Sequence, residues 1–129
     1  TVQMPLNVMD AHYQSFEQIV LPIAKQKQMG ILGMKPMGDP FILDSKTVSA
    51  RECLRYAMSL PVSVTITGID SMEILAQALD VVDTFSPLTS QERAALLART
   101  ASAAREGQSE LYKSSSHFDS TSVHPEWLG

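Results

Sequence analysis

Four consecutive residues, Gly68-Ile69-Asp70-Ser71, stand between an alternating apolar run and a helical one. In that position the free amides of Ile69, Asp70 and Ser71 open a helix, and such amides with the helix dipole suit a phosphate. Asp70 can equally serve as a helix cap, and a capping carboxylate would repel a phosphate beside it. Lys35 directly follows the apolar run Ile31-Leu32-Gly33-Met34. Its ammonium is expected either at the ligand edge of a sheet or as a solvated charge on a loop. His12, His117 and His124 have no ligand spacing on a helix, so no metal set is expected. Cys53 falls on an apolar helix face and reads as packing, not as a nucleophile. Glu73 and Glu92 read as caps. Tyr13, Tyr56 and Tyr112 have no lysine at a spacing that would make one of them an acid. The residues by themselves reveal no catalytic constellation.

The elements that must position these residues follow from periodicity. Val2, Met4, Leu6 and Val8 alternate, which predicts a strand, although Pro5 argues against a fully bonded central position. The segment from Asn7 to His12 holds the loop after it. Ser15 and Gln18 suggest a capping box, with Phe16, Ile19, Val20, Ile23 and Ala24 on one helical face. Pro22 predicts a break there and a restart near Leu21, and Gly30 is placed to end the helix in a left-handed conformation. Ile31 to Met34 predicts a short buried parallel strand. Lys35 to Lys46, with Pro36, Gly38, Asp39 and Pro40, is expected to be a long loop of a kind that is often functional.

Ser49 and Glu52 form a second capping box, for a helix with Cys53, Leu54, Ala57 and Met58 inward and Pro61 at its stop. Val62, Val64 and Ile66 predict a third strand. Asp70 and Glu73 are expected to cap the next helix, facing inward through Met72, Leu75, Ala76, Leu79 and Val82. Thr89 and Glu92 cap a last helix, with Leu96, Leu97, Thr100, Ala101 and Ala104 on one side and Gly107 at its end. Residues 108–129 read as a polar tail that ends in Pro125-Glu126-Trp127-Leu128-Gly129.

Alternation of strand and helix, with strand starts about thirty residues apart, means βα units and a parallel sheet. The fold class is α/β. Three parallel strands leave both sheet edges bare, so the chain is expected to be part of a larger sheet or barrel. A complete (β/α)8 barrel takes about 250 residues, and about half is then absent from the 129 here. The opening on Thr1, straight into a strand-like run, points the same way. The formal charge of −4, from 10 basic and 14 acidic residues without a basic block, argues against nucleic acid or an anionic membrane as partner. A single cysteine excludes an internal disulfide framework. No apolar run is long enough for a bilayer, and Thr1-Val2-Gln3 is no signal peptide, so the cytoplasm is the expected compartment.

Three segments in order resemble one family. Val2-Gln3-Met4-Pro5-Leu6-Asn7-Val8-Met9-Asp10 resembles the sixth-strand signature of the aldo/keto reductases. Leu21-Pro22 before a short helix, then Met29-Gly30-Ile31-Leu32-Gly33-Met34-Lys35-Pro36-Met37-Gly38, resembles their seventh strand and its loop, where the family more often has Tyr-Ser-Pro-Leu-Gly. Thr65-Ile66-Thr67-Gly68-Ile69-Asp70-Ser71-Met72-Glu73-Ile74-Leu75 is similar to the eighth strand and the phosphate-binding turn. The Lys-Pro-Met-Gly and Gly-Ile-Asp-Ser variants resemble a bacterial-type branch, the predicted oxidoreductases of this superfamily. The likeness covers residues 1–84, and the last helix and the Pro-Glu-Trp-Leu-Gly ending look like that branch too.

The resemblance implies the C-terminal portion of a (β/α)8 barrel that binds NADP or NAD in extended form and reduces small carbonyl substrates. Residues 1–107 would be its last βα units, followed by the tail of residues 108–129. Gln3 matches the glutamine that bonds the nicotinamide carboxamide. Met34 stands where a tyrosine usually stacks on the ring. Lys35, Pro36, Met37 and Gly38 match the pyrophosphate loop, and Gly68, Ile69, Asp70 and Ser71 the turn around the adenosine phosphate. Ile74 stands where many members have an arginine for the 2′-phosphate, and Gln77 and Ala78 where a Glu-Asn pair often holds the adenine. These departures leave the choice between the two cofactors open. The family's catalytic Asp, Tyr, Lys and His lie on earlier strands, so the missing N-terminal half of the barrel is an expected partner. An alternative of another class is a nucleotide-binding regulatory protein on the same barrel, without turnover. A third is an unrelated phosphate-binding barrel, in which Gln3 has no reason to face the ligand.

Overall fold

A computed structural model describes residues 1–116 and 123–128. Three strands, β1 (Val2–Pro5), β2 (Ile31–Met34) and β3 (Val64–Thr65), form one sheet in the order β1-β2-β3, with both pairings parallel. The expected α/β class and the parallel neighbourhood of the last two strands are present. Two backbone bonds, from Ser63 N to Ile31 O (2.8 Å) and from Ile66 N to Gly33 O (2.7 Å), flank the short β3. Pro5 is accommodated because β1 is an edge strand, where the missing N–H need not face a neighbour.

The helices with bounds among the described residues are α1 (Phe16–Ile19), α2 (Leu21–Gln26), α3 (Phe41–Asp44), α4 (Ala50–Met58), α5 (Met72–Asp83), α6 (Ser90–Thr100) and α7 (Leu111–Ser114). The break before α2 falls where Pro22 demands it, with the proline in the first turn, where its absent N–H costs nothing. The capping boxes at Ser49/Glu52 and Thr89/Glu92 are both complete. At α1 the box is half made: Ser15 Oγ accepts from Gln18 N at 3.1 Å, while the Gln18 side chain turns to Ala11 O. The left-handed residue after α2 is Gln28 (φ 53) and not Gly30, because the chain reverses two residues earlier than the glycine suggests. The expected loop from Lys35 to Lys46 contains α3, which buries Ile42.

One face of the sheet carries Met4 and Ile31, which close a core with Leu6, Leu21 and Ala24. A second core lies beyond the ends of β1 and β2, where Val8, Met9, Ile42, Cys53, Tyr56 and Leu96 meet. Among the described residues the opposite face of the sheet is largely bare, with Gln3 exposed and Leu32 and Met34 half-buried. In register across it stand Gln3, Leu32 and Val64, and Val64 is 50% exposed.

Helix α5 departs from expectation. Met72, Leu79 and Val82 are 73, 54 and 57% exposed, and Val81 is its buried residue. The helix meets α4, tied by the Arg51–Asp80 ion pair, but the two-residue β3 is too narrow to cover the rest of its apolar face. A cleft of about 320 Å³ remains between α4, β3 and α5, lined by Leu54, Met58, Thr65, Thr67, Ala78 and Val82. No helix among the described residues is long and apolar enough to cross a membrane.

Candidate functional site

The carboxyl ends of β1, β2 and β3 lie side by side; of the expected site residues, Gln3 lies within β1, Met34 ends β2, and Ile74 and Gln77 lie on α5. Gln3 and Met34 meet: Gln3 Nε2 donates to Met34 Sδ at 2.8 Å across the bare face. A thioether is a weak acceptor, so the contact places the amide without holding it tightly.

At the end of β2 the chain turns through Lys35 (φ 53), Pro36, Met37 and Gly38 (φ 56). Gly38 N donates to Lys35 O at 3.1 Å and closes the turn. Pro36 is buried, and Met37 packs against the second core, so these two act through the backbone. Gly38 is required: a Cβ there would lie 2.8 Å from Ile42 Cγ1 and 3.2 Å from Ser109 O. The Lys35 side chain is 23% exposed and its ammonium is paired. Its Nζ pairs with Asp39 Oδ2 at 2.6 Å and lies 5.7 Å from the centre of the Tyr112 ring.

At the end of β3, Gly68, Ile69 and Asp70 are exposed. The cap of α5 is Ser71 and not Asp70: Ser71 Oγ accepts from Ile74 N at 3.2 Å. That leaves the Asp70 carboxylate outside the helix end. Ile74 sits in the first turn of α5, 37% exposed, and Gln77 is half-buried one turn on.

The reactive groups set aside from the sequence are held elsewhere. Burial pushes the Cys53 thiol up to about 12. Tyr56 donates to Glu17 Oε2 at 2.7 Å, and burial beside that carboxylate raises its pKa far above the usual phenol. His12 bonds Thr100 Oγ1 at 3.0 Å, while His124 stacks on Trp127. His117 lies outside the described residues.

The sequence pattern missed a buried polar network beside the Lys35 turn. The segment expected to be a polar tail begins with packed residues, Ser109 and Glu110 being buried. Lys113 Nζ lies 2.6 Å from Asp10 Oδ1 and 2.8 Å from Glu110 Oε2, with all three side chains at 3% exposure or less. It also donates to Tyr13 O at 2.9 Å. Asn7 Nδ2 reaches Glu110 Oε1 (3.1 Å), Tyr112 OH (3.2 Å) and Lys35 O (3.2 Å). Asn7 Oδ1 accepts from the amides of Met9 and Asp10. Tyr112 donates to Glu110, and burial beside that carboxylate drives its pKa far up. The only local signal was composition: Glu110, Tyr112 and Lys113 follow a glycine-ended helix and flank Leu111.

Comparison with protein-family models, with curated proteins and with solved structures gives no match for this chain.

Proposed function

We propose that this chain is the C-terminal, cofactor-holding part of a (β/α)8 aldo/keto reductase that reduces small carbonyl compounds with NADPH or NADH. The carrying observation is the meeting of Gln3 and Met34, 2.8 Å apart on the bare sheet face beside the Lys35–Gly38 turn. In this reading the Gln3 amide holds the carboxamide and the Met34 thioether packs on the nicotinamide ring. Two further features fit a dinucleotide. A Cβ on Gly68 would meet no atom within 4 Å, so the protein's own packing gives no reason for a glycine, whereas close approach of a phosphate does. Next to it Thr67 Oγ1 is buried without a hydrogen-bond partner. The exposed apolar faces of β3 and α5 fit a sheet that continues into further βα units.

A reduced nicotinamide, when bound, would be the source of the hydride that the carbonyl carbon takes up. This chain's residues hold and orient the nicotinamide. The proton for the carbonyl oxygen comes from the upstream half in this reading, because among the described residues no group on that sheet face is placed to give it.

The test is nicotinamide absorbance with a panel of aldehydes and ketones. Residues 1–129 alone are expected to give no turnover. Joined to an upstream barrel half, they are expected to reduce carbonyls, and Gln3→Ala then lowers the rate by loosening the ring. Turnover by residues 1–129 alone, or none after joining, overturns the proposal.

A further inference from the structure

The buried network accounts for every charged oxygen it contains. Asp10 Oδ1 accepts from Lys113 Nζ and Phe16 N, and Oδ2 from Ser15 Oγ and Glu17 N. Glu110 Oε1 takes Asn7 and Tyr112, and its Oε2 takes Lys113. Such a network fixes geometry more than it adds stability, since apolar side chains of the same volume are commonly as stable. What it fixes is the turn after β2. Asn7 Nδ2 has two protons, and one of its acceptors is the carbonyl of Lys35, a non-glycine residue at φ 53. Ser109 O abuts Gly38 on the other side, and Tyr112 lies beneath the Lys35 ammonium.

We propose that residues 107–114 form a strap that presets the Lys35–Gly38 turn, with Glu110 and Lys113 as positioning residues acting through Asn7. The assignment of that turn to a pyrophosphate rests on the function proposed above, but the strap itself is tested without any nucleotide. The strap begins at Gly107 (φ 70), where a Cβ would lie 2.7 Å from the Tyr13 ring. Two substitutions therefore lift it from different ends. Glu110→Gln leaves one acceptor where there were two, so an amide donor faces either the Lys113 ammonium or the Asn7 and Tyr112 donors. Gly107→Ala pushes the strap off Tyr13 and leaves the polar network chemically intact.

The experiment is residue-resolved amide exchange by NMR on the 129-residue chain and both variants. The reporter is the Gly38 amide, which donates to Lys35 O. Loss of the strap is expected to speed its exchange about tenfold beyond any change in β2 and α4, as befits one or two weakened hydrogen bonds. If one variant does not fold, the other decides. Unchanged Gly38 exchange while residues 108–114 exchange faster would overturn the strap. So would equal acceleration in β2 and α4, which would make the segment a general stability element. Failure of carbonyl reduction in the joined protein would touch only the assignment of the turn's ligand.

Discussion

Lys113 Nζ lies 2.6 Å from Asp10 Oδ1, two buried charges brought together across 103 residues of chain. The pair ties the end of the fold to the loop after its first strand. Removing one partner leaves the others as uncompensated buried charge, which is where large effects arise.

Lys113→Met keeps most of the side-chain volume and removes the ammonium that faces both Asp10 and Glu110. The expected loss is about 3–5 kcal/mol at neutral pH. Urea denaturation followed by far-ultraviolet circular dichroism measures it. A loss under about 1 kcal/mol would mean that the two carboxylates find other partners.

Ser71 and Asp70 are neighbours with different work. Ser71 Oγ accepts from Ile74 N, so Ser71→Ala is expected to cost about 0.5–2 kcal/mol. Asp70 lies outside the helix, and Asp70→Ala is expected to change stability by less than about 0.5 kcal/mol. Thermal denaturation of the two variants side by side separates them. The reverse order would restore Asp70 as the cap.

These contrasts mark where the sequence was legible. Ser49 and Glu52 are three residues apart and bond each other, so their box is readable from spacing alone. The parallel pairing of β2 and β3 was readable because a helix-length connection cannot be a hairpin. Asp10, Glu110 and Lys113 obey no period, and their meeting depends on the whole fold. Met72 and Leu79 mark another limit. A helical pattern tells which side is apolar, but not whether anything covers it. Of the site residues, Gln3 and Met34 come within 2.8 Å of each other, a contact that no spacing in the sequence foretells. The charge of Lys35 is taken up by Asp39, a spacing of four residues that a loop reading gave no reason to pair.

His12 gives a pH dependence with a definite sign. Burial holds its pKa below the ordinary 6.5, against the opposing pull of the Glu110 and Glu17 charges. In the unfolded chain histidine takes a proton near pH 6.5, while folded His12 stays neutral to lower pH. The unfolded state then binds more protons, so stability present above 6.5 falls as pH drops through 6.5 toward the folded value. Melting temperatures between about pH 5 and 8 should show this slope, and His12→Gln should flatten it. An identical slope in the variant would assign it to other groups.

Ile74 bears on the choice of cofactor. It stands in the first turn of α5, 37% exposed, one helical turn from the Ser71 cap. Under the proposed function this position faces the adenosine ribose, and an isoleucine offers a 2′-phosphate no charge. Ile74→Arg would add a guanidinium able to bond a phosphate in bidentate fashion. A charge-assisted bond is worth about 1.5–3 kcal/mol before the ordering of a long side chain is subtracted. A net gain of about 1.4 kcal/mol is tenfold in Kd. The joined protein carrying Ile74→Arg is therefore expected to bind NADPH about tenfold tighter and NADH nearly as before. The gain should shrink at high salt, since the side chain is partly exposed. Fluorescence titration of both cofactors measures it. Equal tightening of NADPH and NADH would place position 74 near the pyrophosphate. No change in either would remove the first turn of α5 from the site, leaving Gln3, Met34 and the Lys35 turn to hold the nicotinamide half alone.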